Sequence, residues 1–243
     1  MARLNDRVLF HLGSLLLAIL VSACGGGGGG GGAAVAVPVV SASSFSMPAV
    51  LADQVNNGYT QNFSISGTQV VGGTTFNVTG TGTITVAPAS NAVFEGQVAL
   101  QNSSTTTVTL TVNGITAPPV TETSQSFSTT SYAPLGMSNG EYWVVQGVPV
   151  IPATVKVGDT GVIGTYTRYT DNTKTSVLGT AQASYVVEAD TATSAVINLI
   201  LREFDNASVV ELTDQIRWRI DTLGNVAWQS ETATGPGLNY IFN

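Results

Sequence analysis

From Tyr59 onward, apolar and polar residues alternate with a period of two. Tyr59, Gln61, Phe63 and Ile65 lean to one face and Thr60, Asn62, Ser64 and Ser66 to the other, which is the spacing of a half-buried strand. Thr75 to Val86 repeats the pattern, interrupted by Gly80 and Gly82, and Ala87-Pro88-Ala89-Ser90 follows as a turn. Val93 to Leu100 and Thr105 to Val112 read as two strands joined across Asn102-Ser103-Ser104, and Asn113-Gly114 is a hairpin signal. Thr121 to Tyr132 is polar enough for an edge strand. Pro134 to Gly140 is rich in turn residues and reads as a link. Tyr142 to Gln146 is a short apolar strand. Hairpins then follow in series: Gly164 to Tyr169 with Thr175 onward, Gly179 to Glu188 with Ser194 to Phe204, and that strand with Ser208 to Ile220. In the last of these, Val210, Leu212, Ile216, Trp218 and Ile220 share a face, with Asp214 as an exception, and Glu211, Gln215, Arg217 and Arg219 share the other. Asn225 to Gln229 and Leu238 to Phe242 complete the set. Helical spacing is confined to Pro48 to Asn57, with Gly58 as its stop.

These elements predict an all-β, antiparallel, meander-rich domain, either a barrel-like sheet or a two-sheet sandwich. The stretches Gly80-Thr81 to Leu110 and Gly179-Thr180 to Val210 share an order of strands and turns. Two similar halves from a duplicated meander are therefore an alternative to shared β composition, with a candidate sub-boundary near residues 134–140.

Charge divides the chain unevenly. Between Gly25 and Gly140 there are Asp53, Glu95 and Glu122 and no Lys or Arg, whereas eleven acids and six bases fall between Glu141 and Glu231. The first half is instead rich in Thr, Ser, Asn and Gly, and β-branched Thr suits strands. A surface with few basic residues is a poor match for phosphates, so nucleic acid is not an expected partner.

The N-terminus has a different grammar. Two arginines and one aspartate in Met1 to Arg7 precede a mostly apolar run from Val8 to Leu20, which is short for a membrane span. Val21-Ser22-Ala23-Cys24 then places two small residues before the sole cysteine, and eight glycines follow. This arrangement resembles the lipobox of bacterial lipoproteins. The resemblance implies that residues 1–23 are a signal peptide cut before Cys24, and that Cys24 is the lipidation site, carrying a diacylglyceryl group and an acylated amino terminus, with palmitate the expected chain. It also implies anchoring in the outer membrane, since Gly25 is not the Asp that favours inner-membrane retention. Several acyl chains make such an anchor stable. Residues 24–46 then form a lipidated Gly-rich tether and residues 47–243 the β-rich domain.

Chemistry in the mature chain is limited by what it lacks. His11, the single histidine, precedes Cys24, so Ser-His, Cys-His and His-metal arrangements are excluded, and no cofactor-binding, metal or catalytic residues are expected. Carboxylates remain. Glu188 with Asp190, Glu203 with Asp205, and Asp214 could serve sugar hydrolysis or a Ca²⁺ site, although acids beside hairpins more often cap turns and keep edges soluble. Tyr142, Trp143, Tyr166, Tyr169, Tyr185, Trp218 and Trp228 could stack on sugars or line a lipid pocket, against the commoner role of core packing. Arg217 and Arg219 could hold an anion, against cross-strand pairing with acids. The expectation is a cell-envelope lipoprotein with a non-catalytic structural, adhesive or partner-binding domain. The alternatives are a carrier of a hydrophobic ligand and, last, a carboxylate-based glycan hydrolase. Its partners are then the membrane, through Cys24, and an unspecified protein, glycan or lipid.

Overall fold

The computed structural model describes residues 38–243; the signal peptide, Cys24 and the glycine run lie outside the described residues. In chain order the elements are β1 (Phe45–Ser46), α1 (Met47–Asn57), β2 (Tyr59–Val71), β3 (Thr74–Val86), β4 (Ser90–Phe94), β5 (Gln97–Val112), β6 (Ile115–Thr116), β7 (Val120–Ser128) and β8 (Pro134–Ser138). There follow β9 (Tyr142–Val145), β10 (Thr154–Val155), β11 (Thr160–Tyr169), β12 (Val177–Thr191), β13 (Ser194–Asp205), β14 (Val210–Asp221), β15 (Val226–Gly235) and β16 (Leu238–Phe242).

Every pairing is antiparallel. The sheet runs β3-β2-β16-β15-β14-β13-β12-β11-β9-β8-β7-β5, and β5 pairs back onto β3 from Val78↔Val112 to Val86↔Ser104. The result is a closed 12-strand barrel with β4 and β6 added to β5 and the short β1–β10 ribbon lying outside the path. Closure removes the open edges that would otherwise pair with other chains. The sandwich alternative is thereby excluded. Nor does the sheet break between halves: Pro134–Ser138, read from sequence as a link, is strand β8, bonded to β7 on one side and β9 on the other.

A barrel of this size is wider than the eight-strand case that side chains fill unaided. Large side chains close the gap. Trp143, Trp218, Tyr166, Phe45, Met47 and Met137 are all fully buried, and Phe45, Met47 and Val50 join the main interior cluster from the segment before β2. That segment is the plug. Ser46 caps α1 by accepting from Ala49 N–H at 3.3 Å, Pro48 suits the first turn, and Gly58 ends the helix with φ 63° while its N–H donates to Gln54 O. Gly58 is required twice over, because a Cβ there would also lie 2.4 Å from Val86 O. Residues assigned to the tether by sequence are docked as well: Val39 bridges Asp190, Ser41 Oγ donates to Ala192 O, and Phe45 is core. The packed unit thus begins upstream of residue 47.

Two strand assignments change. Asn102-Ser103-Ser104 is not a turn but the middle of β5, and the reversal is at Glu95-Gly96, both with positive φ. Those polar residues read as loop because their partners are remote: Asn102 Nδ2 donates to Val55 O at 3.0 Å and Ala87 O at 2.9 Å, and Ser104 meets Ser124 at 2.7 Å. β7, expected at an edge, is internal, paired to β5 and β8.

Candidate functional site

The barrel interior is not uniformly apolar. At the end opposite α1, Arg168 of β11 is buried and shared by three carboxyls. Its Nε and Nη2 form a fork onto Glu141, both at 2.9 Å, and its Nη1 donates to Glu211 at 2.8 Å. Nη2 also lies 3.0 Å from Glu203 Oε2, although the carboxyl of Glu203 has no aligned hydrogen-bond donor. The Trp143 ring lies under the guanidinium at 5.5 Å, and its Nε1 donates to Glu141 at 2.8 Å. Burial acts to lower the proton affinity of Arg168, but the hydrogen bond with Glu141, the charges of Glu203 and Glu141, and the bond with Glu211 outweigh it and hold the group above its ordinary value.

From Glu203 a diagonal row of acids crosses neighbouring strands. Leu201 faces Asp214, and Asp214 faces Ala233, so Glu203 on β13, Asp214 on β14 and Glu231 on β15 are successive diagonal neighbours on the inward face. Glu203 is 0% and Asp214 1% exposed. Asp214 has no well-aligned hydrogen-bond donor on either oxygen, the backbone N–H of Gln215 giving its charge partial support, and Glu231 has none on Oε1. Burial raises the Glu203 carboxyl to about 8; Arg168 pulls it back, and Glu141 and Glu211 push it up further. Burial, then the charge of Glu203, lifts Asp214 well above the carboxylate range, and burial with the charge of Asp214 does the same to Glu231.

Above Asp214, beneath α1, lies a cavity of about 70 Å³. Its wall is mainly aliphatic and aromatic, including Leu51, Ile163, Leu199 and Ile216, with polar groups from Gln54, Ser128 and Asp214. Gln54 Nε2 and Ser128 Oγ have no hydrogen-bond partner.

Of the acid pairs grouped by sequence proximity, the fold separates Glu203 from Asp205 and keeps Glu188 and Asp190 on one face. Asp205 leaves the interior and caps its hairpin, accepting from Ala207 N and Val209 N at 2.8 Å. Glu188 and Asp190 lie on the outer face, paired with Arg217 at 3.4 Å and Arg219 at 2.6 Å. Both arginines thus take the cross-strand role rather than forming an anion site. Trp143, Tyr166, Tyr185 and Trp218 belong to the core cluster, with Trp228 packed against it, while Tyr142 packs on Phe94. Among the described residues no group of His, Cys, Asp and Glu is arranged to hold a metal ion.

Sequence reasoning missed Glu231. Its inward position depends on a bulge: Trp218 faces Trp228, but Arg217 faces Ser230, so Gln229 is an extra residue. Past it the alternation flips parity, and Glu231 and Ala233 turn inward. The apolar exception at Asp214 was visible as a break in the pattern; the bulge was not.

The outer face divides in two. Charged outward positions lie on β12, β13 and β14, whereas β2, β3, β5 and β7 present Thr, Ser, Asn and Gln and carry one charge, the inward-placed Glu122 opposite Thr106. Thr79↔Thr111, Thr81↔Thr109, Thr83↔Thr107 and Thr85↔Thr105 are direct cross-strand pairs, extended by Thr105↔Thr123 and Thr107↔Thr121. Such polar outward positions differ from the apolar band of a barrel that faces lipid. An open groove crosses this face between Asn62, Ser64, Thr83 and Thr107. Comparison with protein-family models, curated proteins and solved structures finds no match for the chain.

Proposed function

We propose that the chain is a cell-envelope lipoprotein, held at the outer membrane through acylated Cys24, whose barrel is a non-catalytic adhesive or partner-binding module. The observation that carries the reading is the charge-free ladder of Thr pairs on β3, β5 and β7. A rigid sheet face of hydroxyls and methyls offers many neutral hydrogen bonds with little side-chain ordering cost, because β-branched side chains are stiff. Two interior features favour this reading over its alternatives. A carrier of a hydrophobic ligand needs an enclosed apolar space of roughly 300 Å³ or more; the cavity beneath α1 has about 70 Å³, and the larger groove on the outer face is open and lined mainly by Thr, Ser and Asn. A glycan hydrolase needs its acid pair open to a chain of sugars, whereas Glu203 and Asp214 are sealed inside.

The test has two arms. Cys24→Ser should fold normally and leave the outer-membrane fraction; continued sedimentation with the outer membrane would end the anchoring claim. Labelled C24S protein should bind isolated envelopes or intact cells, and Thr83→Asp with Thr107→Asp should abolish that binding without lowering Tm. Equal binding by the double variant would remove the Thr face from the function.

A further inference from the structure

We propose that the cavity beneath α1 is a binding site for a small molecule with a short apolar body and one protonated amine, the ammonium paired with Asp214. The site is built from buried groups that are short of bonding partners. Gln54 Nε2 and Ser128 Oγ lack partners, and Asp214 has no well-aligned donor on either oxygen, only the charge-stabilising backbone N–H of Gln215; these residues are 2%, 8% and 1% exposed. Buried polar groups are almost always fully paired, so three under-bonded side chains around a single space point to an occupant.

Size limits the occupant. A water needs roughly 10–15 Å³ of such space, so about 70 Å³ takes a body of about five non-hydrogen atoms. The walls are apolar on several sides, from Leu51 of α1, Ile163 of β11, Leu199 of β13 and Ile216 of β14, which favours a hydrocarbon body over a water cluster.

Charge selects the head group. Facing Asp214 are Glu203 on β13 and Glu231 on β15; beyond Glu203 are Arg168, Glu141 and Glu211, and Glu122 sits inward on β7. Arg168, the one cation among them, is taken up by Glu141, Glu203 and Glu211. The cavity wall itself has no Lys or Arg, and α1 contributes the neutral Gln54. An anionic guest would find no cation on this wall, whereas an ammonium can donate to Asp214 and leave it as a paired carboxylate. Ser128 Oγ can accept a second ammonium hydrogen. On binding, the O–H proton of the Asp214 carboxylic acid leaves to solvent, and the resulting carboxylate pairs with the ammonium, which keeps its own protons. Burial with nearby Glu203 favours the acid form of Asp214 in the empty site.

The probes are n-butylamine, 1-butanol and propionate, each with five non-hydrogen atoms, added to the purified barrel at pH 7. At tenfold excess over Kd, n-butylamine should raise Tm by about 3 °C, with 1-butanol and propionate without effect at the same concentration. Calorimetry in phosphate and in MOPS should give different binding heats, reporting release of one proton per amine bound. Asp214→Asn should lose both the shift and the buffer dependence. No shift with n-butylamine, meaning that the cavity holds water alone, would overturn the proposal. So would equal shifts with 1-butanol, or an unchanged response in D214N. If D214N does not fold, the ligand series and the buffer dependence of the wild-type protein decide the matter.

Discussion

The interior acid row makes the stability of the barrel fall as pH rises through neutrality. Glu203 is the measurable member. Its carboxyl moves from an ordinary 4.5 to about 8 on folding, so in the range between these values the folded chain holds a proton that the unfolded chain has released. Stability from this group is complete below the ordinary value and is lost as pH rises through about 8. At about 1.4 kcal/mol for each tenfold change in proton affinity, the loss between pH 5 and pH 8 is on the order of 4 kcal/mol. For a domain of this size that lowers Tm by roughly 10 °C. Asp214 and Glu231 shift in the same direction and steepen the fall. The perturbation is Glu203→Gln, which keeps the shape of the protonated acid and removes the titration. Thermal unfolding at half-unit steps from pH 5 to 8.5, monitored by tryptophan fluorescence, should show a steep decline in the wild-type protein. E203Q should show a shallower decline, with the two curves separating most above pH 7. A wild-type Tm that is flat or rises over this range refutes the argument, as does E203Q with the full wild-type slope.

Other outcomes follow from the same packing. Arg168→Met strands the buried carboxylate of Glu141 without a cation and should cost about 3–5 kcal/mol in urea denaturation; adding Glu141→Leu should recover part of it. Asn102→Ala removes the donor to Val55 O and Ala87 O and should cost about 1–3 kcal/mol. Hydrogen exchange in N102A should quicken in α1 and in the Ala87 turn before it changes in β12 to β14.

What was legible from sequence was local. Alternation across Leu212 to Ile220 identified a strand with one dry and one wet face, and the structure buries Leu212, Ile216, Trp218 and Ile220 while leaving Arg219 outside. Gly58 marked the end of α1 because a stop signal needs only its own backbone. Misreadings arose where a residue's partner was distant in sequence. Asn102 looked like a turn residue because nothing near it reveals that its amide holds a helix carbonyl 47 positions away. Pro134 to Ser138 looked like a link because strand pairing to β7 and β9 is invisible from composition.

By itself the sequence determined an antiparallel all-β domain, the places of most strands, the uneven charge along the chain and the oddity of Asp214, since period-two patterning and turn chemistry act within a few residues. Tertiary structure decided that the sheet closes, through the β3–β5 register, and that α1 plugs one end. It also decided which acids meet. Glu203 parted from Asp205, although residues two apart in a strand share a face, because β13 ends at Asp205, whose carboxylate turns to cap the hairpin, while Glu231 came inside through one extra residue at Gln229. Register and bulge are set by pairing between strands, and a single added residue reverses every side chain beyond it.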